Sequence, residues 1–101
     1  MQAIYVCSPY RGDIGKNTKF AAECCKRVLN LGGAPIAPHL YFPQFLDEDT
    51  ERMKALAVNE KLIDVCQAVW VFGDVITDGM RYEIDYAEKS GKKVVRMGGK
   101  I

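Results

Sequence analysis

At 101 residues, with 49% hydrophobic positions, 27% charged positions and a formal net charge of +1, the sequence describes one globular domain, expected to run over 1–101 without room for a second core. The near-neutral balance offers no field suited to a nucleic-acid polymer, and no apolar run approaches the roughly 20 residues of a membrane-spanning helix. The opening MQAIYVC lacks the basic segment and long apolar core of a signal peptide, so the expected location is cytoplasmic, with no membrane partner.

Residues 3–7, AIYVC, form a short apolar run rich in β-formers that stops at Ser8-Pro9, which predicts a buried first strand followed by the loop SPYRGDIG. From Asn17 to Leu31, a helical stripe runs through Phe20, Cys24, Val28 and Leu31, with Ala21 and Cys25 beside it, and Gly32-Gly33 closes it. APIAP, residues 34–38, reads as the second strand. PHLYFPQFLDED, residues 38–49, combines two prolines with aromatics, which suits neither a long helix nor a central strand and predicts a lid-like loop.

A second helix is expected from Thr50-Glu51, with Ala55, Val58, Leu62, Val65 and Cys66 on its apolar face and Leu56 and Ile63 on the flank. AVWVF, residues 68–72, is the third strand, with Trp70 in the core rather than at a ligand. After the loop GDVITD, Met80, Ile84 and Ala87 mark the buried side of a third helix ending at Gly91, and KKVVRM supplies a fourth strand. Strands alternating with helices predict an α/β domain whose small parallel sheet is flanked by helices through right-handed crossovers. The ligand edge of such a sheet is the carboxyl end of its strands, where SPYRGD, PHLYFP and GDVITDG all fall.

The cysteines at 7, 24, 25 and 66 form no CxxC pair, and Cys24 and Cys25 point about 100° apart on a helix, so neither they nor the single His39 complete a usual zinc site. No metal is expected.

Two readings stand for each candidate motif. In SPYRGDIGKN, backbone N–H groups and the helix N-terminus can receive an anion, with Arg11 gripping phosphate; equally, Pro9 and Gly12 shape a turn, Asn17 caps the helix and Arg11 is solvated. In TDGMRYEI, Asp78 is expected as N-cap and Gly79 as the first helical residue, leaving open space beneath Glu83 on the same face. A sugar could occupy that space, with the helix N-terminus keeping Glu83 ionised as a nucleophile and Asp74 as a second carboxylate. Alternatively, Asp78 caps, Glu83 is a surface residue and Gly79 packs on the sheet. His39, Tyr41 and Phe42 either stack over a base or ribose, or pack the loop onto the sheet edge.

Taken together, YVCSPYRGD, APHLYFPQFL and VWVFGDVITDGMRYEIDYA resemble the nucleoside 2-deoxyribosyltransferase-like superfamily, in particular its short bacterial and phage branch, over nearly the whole chain. The resemblance implies a Rossmann-like or flavodoxin-like domain that cleaves the N-glycosidic bond of a nucleoside or nucleotide without a cofactor. It casts Glu83 as the nucleophile, with Asp74 or Asp78 assisting protonation of the leaving base and water or a second base resolving the intermediate. Tyr5 and Asp74 would flank sugar and base, and Ser8 and Arg11 would line the substrate loop. The expected substrate-binding set also includes Pro9, Tyr10, Gly12, His39, Tyr41, Phe42, Gly73, Gly79 and Met80. The Arg11-Gly12 pair is similar to the branch that hydrolyses deoxynucleoside 5′-monophosphates. One departure is Gln67, where related short sequences usually carry an aspartate that helps to handle the base. The resemblance further implies a polar residue from a neighbouring subunit, and so small a domain is expected to form a dimer or higher homo-oligomer. The competing expectation is a non-catalytic module that senses or sequesters a nucleotide in the same cleft.

Overall fold

The computed structural model describes residues 1–99; positions 100 and 101 of the expected domain lie outside the described residues. Strands β1 (Ala3–Cys7), β2 (Ala34–Ile36), β3 (Ala68–Phe72) and β4 (Lys93–Gly98) pair in parallel in the order β2-β1-β3-β4. Helices α1 (Ile14–Asn30), α2 (Arg52–Val65) and α3 (Asp78–Lys89) make the crossovers. This is the expected α/β class, in a flavodoxin-like strand order.

The period-two alternation of the strands assigns the two faces of the sheet. Tyr5, Cys7, Val69 and Val71 point to one side, where Ile63 of α2 and Met80, Ile84 and Ala87 of α3 close over them. Ile4, Val6, Ala68 and Phe72 point to the other, against Cys24 and Val28 of α1, with Trp70 partly buried beside them. Between α1 and β2 the chain passes so close to the core that a Cβ on Gly33 would lie 2.9 Å from Val28 Cγ1. Any larger residue would have to displace the core side chains of Val28 and Ile4. Over the first face, the Tyr82 hydroxyl donates to Glu60, and one helical turn on the Tyr86 hydroxyl donates to Asp64 Oδ1 at 2.7 Å, which fixes α3 against α2.

Several boundaries differ from the sequence expectation. Helix α1 starts three residues before Asn17, because Asp13 is its cap, accepting from the Lys16 N–H at 3.1 Å. Asn17 instead donates through Nδ2 to the Tyr10 and Arg11 carbonyls at 3.0 and 3.1 Å, tying the substrate loop to the helix. The cap of α3 is Thr77, whose hydroxyl accepts from the Met80 N–H, and Asp78 is the first helical residue. The proline-aromatic segment is not structureless: Pro38–Leu40 and Phe42–Gln44 each form a 3₁₀ turn, each with proline at a position whose missing N–H costs nothing.

Helix α2 begins at Arg52 and is rotated from its expected face. Ala55, Asn59 and Ile63 are buried, while Val58 and Val65 are 41% and 55% exposed. A buried asparagine in the stripe hides it from a reading based on hydropathy. Among the described residues, no helix is long and apolar enough to cross a membrane.

The strand order places β2 and β3 on opposite sides of β1, so the chain leaves β1 and β3 in diverging directions and a crevice opens beyond their carboxyl ends. Ser8 follows β1 and Gly73 follows β3 at this point. Gly73 turns with φ +110°, and a Cβ there would meet the Pro9 ring at 3.4 Å, so the two loops pack edge to edge.

Candidate active site

The crevice is a cleft of about 610 Å³, within the range of small-molecule sites. Ser8, Tyr10 and Arg11 form one wall, Arg52, Ala55, Leu56 and Asn59 of α2 another, and Thr77, Asp78, Gly79, Met80 and Glu83 the start of α3; His39, Glu48 and Asp49 reach in from the middle segment. Among the described residues, the buried side-chain polar atoms without a protein partner are Ser8 Oγ, His39 Nδ1, Glu48 Oε2 and Asn59 Oδ1, and all four residues line this cleft. Buried polar atoms are ordinarily paired, since leaving one unmade costs about 1 to 3 kcal/mol. Four of them converging on one space make a surface shaped for a polar ligand.

Glu83 is the chemical centre of that surface. It is 3% exposed, one turn into α3, and Tyr5 donates its hydroxyl to Oε2 at 2.5 Å from the sheet below. Burial pushes its carboxyl up to about 7, partly offset by hydrogen bonds from Tyr5 and Cys7, while the charge of Glu48 raises it further. The helix N-terminus was expected to hold Glu83 ionised; loss of solvation outweighs it. Near neutral pH the group stands between its two forms.

His39 stacks on Tyr10 with ring centroids 4.7 Å apart and planes inclined by 21°. Burial lowers its imidazole to about 4, so it presents neutral donor and acceptor nitrogens at pH 7. At the mouth, Arg11 pairs with Asp49 at 3.1 Å and donates to the Glu48 carbonyl at 3.4 Å, with Arg52 close by on α2. Among the described residues, no three His, Cys, Asp or Glu side chains come together as a metal site.

Gly79 supplies the clearance beside Glu83: a Cβ built there meets nothing within 4 Å. Glycine is a poor helix former, disfavoured against leucine by up to about 1 kcal/mol, so Gly79→Leu should leave the melting temperature unchanged or higher while filling the cleft. Ligand binding, read by calorimetry, should be lost; a variant that binds as the parent does would show that the space over Gly79 is not used.

Over residues 2–97 the sequence matches the model of a domain of unknown function, DUF7768. The chain belongs to that family. No curated protein matches this DUF7768 chain. Its fold is similar to that of a 2-deoxyribosyltransferase from the psychrotolerant bacterium Bacillus psychrosaccharolyticus, with a TM-score of 0.73 and 20% identity, covering 98% of this chain and 75% of that one. It is similar too to a 2-deoxyribosyltransferase from Leishmania mexicana, with a TM-score of 0.68 and 17% identity, covering 97% of this chain and 65% of the other. What these share with the DUF7768 chain is the fold, as the sequence resemblance implied.

Of the residues singled out from the sequence, the DUF7768 fold brings Ser8, Tyr10, Arg11, His39, Asp78, Gly79, Met80 and Glu83 into the cleft. Tyr5 is fully buried beneath Glu83, where it positions the carboxyl rather than flanking a ligand. Pro9, Gly12 and Gly73 shape the loops behind the wall. Tyr41 and Phe42 pack on each other at 5.3 Å and on Phe45, holding the middle segment together outside the cleft. Asp74 is not a second carboxylate of the cleft: its side chain turns to the end of β4, where a Cβ on Gly99 would collide with it.

Gln67 is likewise far from the chemistry. It stands before the first residue of β3, at the amino end of the sheet, and its Oε1 accepts from the Ala3 N–H at 2.5 Å. Position 67 thus does not line the cleft. The lining residues that the sequence did not announce are Glu48, Asp49, Arg52, Ala55, Leu56, Asn59 and Thr77. Most ride on the middle segment and α2, whose orientation no local pattern reveals; a polar residue at 59 amid apolar neighbours was the one available signal.

Proposed function

We propose that the domain binds a nucleoside or nucleoside 5′-monophosphate in this cleft and cleaves or transfers at its N-glycosidic bond through a covalent glycosyl ester on Glu83. The observation that carries the reading is Glu83 itself, a buried carboxyl on the cleft wall, gripped by Tyr5 and set beside the open space of Gly79. The likeness in fold to 2-deoxyribosyltransferases supports it.

The physical logic follows from burial. A carboxylate stripped of water is destabilised relative to any neutral form, and attack on the anomeric carbon turns it into a neutral ester. The bond from Tyr5 holds the carboxyl in one orientation, which lowers the entropic cost of the approach. Meanwhile Ser8 Oγ, Asn59 Oδ1 and His39 Nδ1 offer donors and acceptors to sugar hydroxyls and ring nitrogens. Displacement of the base by Glu83, followed by attack of water or a second base on the ester, returns the original configuration at the anomeric carbon. Incubation with a panel of common nucleosides and their 5′-monophosphates, with free base followed by chromatography, tests the reading directly. Binding without base release from any of them would favour a sensing or sequestering module instead.

Arg11 and Arg52 at the mouth suit a 5′-phosphate, since a guanidinium offers paired donors to a dianion and little to a glycosidic bond. A charge-assisted bond of this kind contributes about 1.5 to 3 kcal/mol, or roughly ten- to a hundred-fold in affinity. Measured on a Glu83→Gln background so that turnover does not intrude, Arg11→Ala should weaken 5′-monophosphates by about that factor and leave nucleosides nearly unchanged. Equal losses for both ligand types would confine Arg11 to holding the 47–49 turn.

A further inference from the structure

We propose that Glu48 is the general acid and base of the cleft, giving a proton to the departing base and later taking one from the attacking water. The inference rests on the reading of Glu83 as nucleophile and adds the second half of the reaction.

Glycosyl transfer by double displacement needs two carboxyl groups facing one bond, one to form the ester and one to carry the proton. The sequence offered Asp74 and Asp78 for the second role. Asp74 lies outside the cleft, and Asp78 is exposed at its rim. Glu48 meets the requirement by position. It lines the cleft from the middle segment, on a different element from Glu83, and its Oε2 is buried with no protein partner. It is near enough to Glu83 for its charge to raise that carboxyl.

The backbone around Glu48 is held for the task. Asp47 Oδ1 accepts from the Asp49 and Thr50 N–H groups at 2.9 and 3.3 Å, and Glu51 Oε1 accepts from the Asp47 N–H at 3.1 Å. Arg11 clamps the same turn through the Glu48 carbonyl and the Asp49 carboxylate. Five ties thus fix the turn around one inward-facing glutamate.

Proton supply follows from the pairing. Burial raises the Glu48 carboxyl, with Arg11 and Arg52 pulling it down and Asp49 pushing it up. Repulsion between the two carboxylates disfavours the doubly ionised pair, and the reactive form is the singly protonated one, with the proton on Glu48 and Glu83 ionised. As the bond from C1′ to the base nitrogen breaks, its electron pair stays on the base, which takes the Glu48 proton, and a Glu83 oxygen bonds to C1′. The ester is neutral, so the Glu48 carboxylate left by that transfer is freed of the repulsion. It then removes a proton from water as the water oxygen bonds to C1′ and Glu83 leaves as carboxylate, restoring both groups.

The test compares the parent with Glu48→Gln and Glu48→Ala on every panel substrate the parent cleaves and on 4-nitrophenyl 2-deoxyriboside, whose leaving group departs without a proton. General acid catalysis contributes roughly 10² to 10⁴-fold, so base release should fall by about that factor while the first release of nitrophenolate stays close to the parent's. Sodium azide should restore turnover in Glu48→Ala and yield a glycosyl azide, because an anion needs no general base. Equal loss on both leaving groups without azide rescue, in variants with unchanged circular dichroism, would overturn the assignment and leave the nucleophile reading standing. A parent that releases neither base nor nitrophenolate would instead remove the reading beneath it, and this proposal with it.

Discussion

Glu83→Gln is expected to abolish release of base from every substrate the parent cleaves, a loss on the order of 10⁴-fold or more, with the fold unchanged. The amide keeps the shape of the side chain and can still accept from the Tyr5 hydroxyl, so the ground around it is not disturbed. What it lacks is an oxygen able to form the ester. Loss of an electrostatic helper alone would leave slow turnover and no covalent species. The complementary measurement is mass spectrometry of the parent quenched during turnover, which should show a sugar mass on the peptide containing Glu83. If Glu83→Gln turns over at the parent's rate, the nucleophile lies elsewhere and the reading of the cleft fails at its centre.

The same substitution should also make the protein more stable at alkaline pH, because the parent bears the cost of a buried carboxylate. Below about 4.5, the ordinary value, the group is protonated in folded and unfolded chains alike, and burial costs it little charge. Between 4.5 and about 7 the unfolded chain ionises it while the folded one keeps its proton, so stability falls as pH rises; above 7 the penalty is constant. That interval corresponds to about 3 kcal/mol, an appreciable part of the stability of a domain this size. His39 works in the opposite sense, since its folded imidazole takes up a proton only near 4 against an ordinary 6.5, and its contribution rises with pH across that window. The two slopes largely cancel in the parent, which should show a shallow profile from 4.5 to 6.5.

Comparison of variants separates them. Denaturant unfolding of Glu83→Gln and the parent should coincide near pH 4 and diverge to about 3 kcal/mol in favour of the variant above pH 7. A difference that does not change with pH would mean that Glu83 titrates as an exposed glutamate, and would remove the burial on which its reactivity depends. That divergence would mark Glu83 as a group kept at a cost in stability, as sites that carry chemistry often do.

Much of the architecture is readable along the chain because it is local. The alternating apolar residues of AIYVC and AVWVF face two helical layers whatever the helices are, and the spacing of Cys24 and Val28, or of Met80, Ile84 and Ala87, marks a helix face by periodicity alone. From strand-helix alternation the parallel sheet follows, and from the sheet the edge that carries SPYRGD and GDVITDG. The pairing of Gly79 with Glu83 is likewise local, being one turn of one helix.

Tertiary structure decided what each of those residues does. Nothing near Glu83 in the chain says that it is buried; the Tyr5 hydroxyl that meets it lies 78 residues away, on the central strand. Helix α2 turns Asn59 inward and Val58 outward because its inner stripe must border a polar cleft as well as a core, a demand that hydropathy does not record. Asp74 and Gln67 look chemical in the sequence, yet one is directed at the end of β4 and the other sits at the opposite end of the sheet. Glu48 looks like one of several solvated acids, and only the folding of its turn against Arg11 directs it toward Glu83. Local sequence thus determined the elements and the edge at which they end. Which polar atoms share a space with little water is set by contacts between residues distant in the chain, and it is that shared space that raises Glu83.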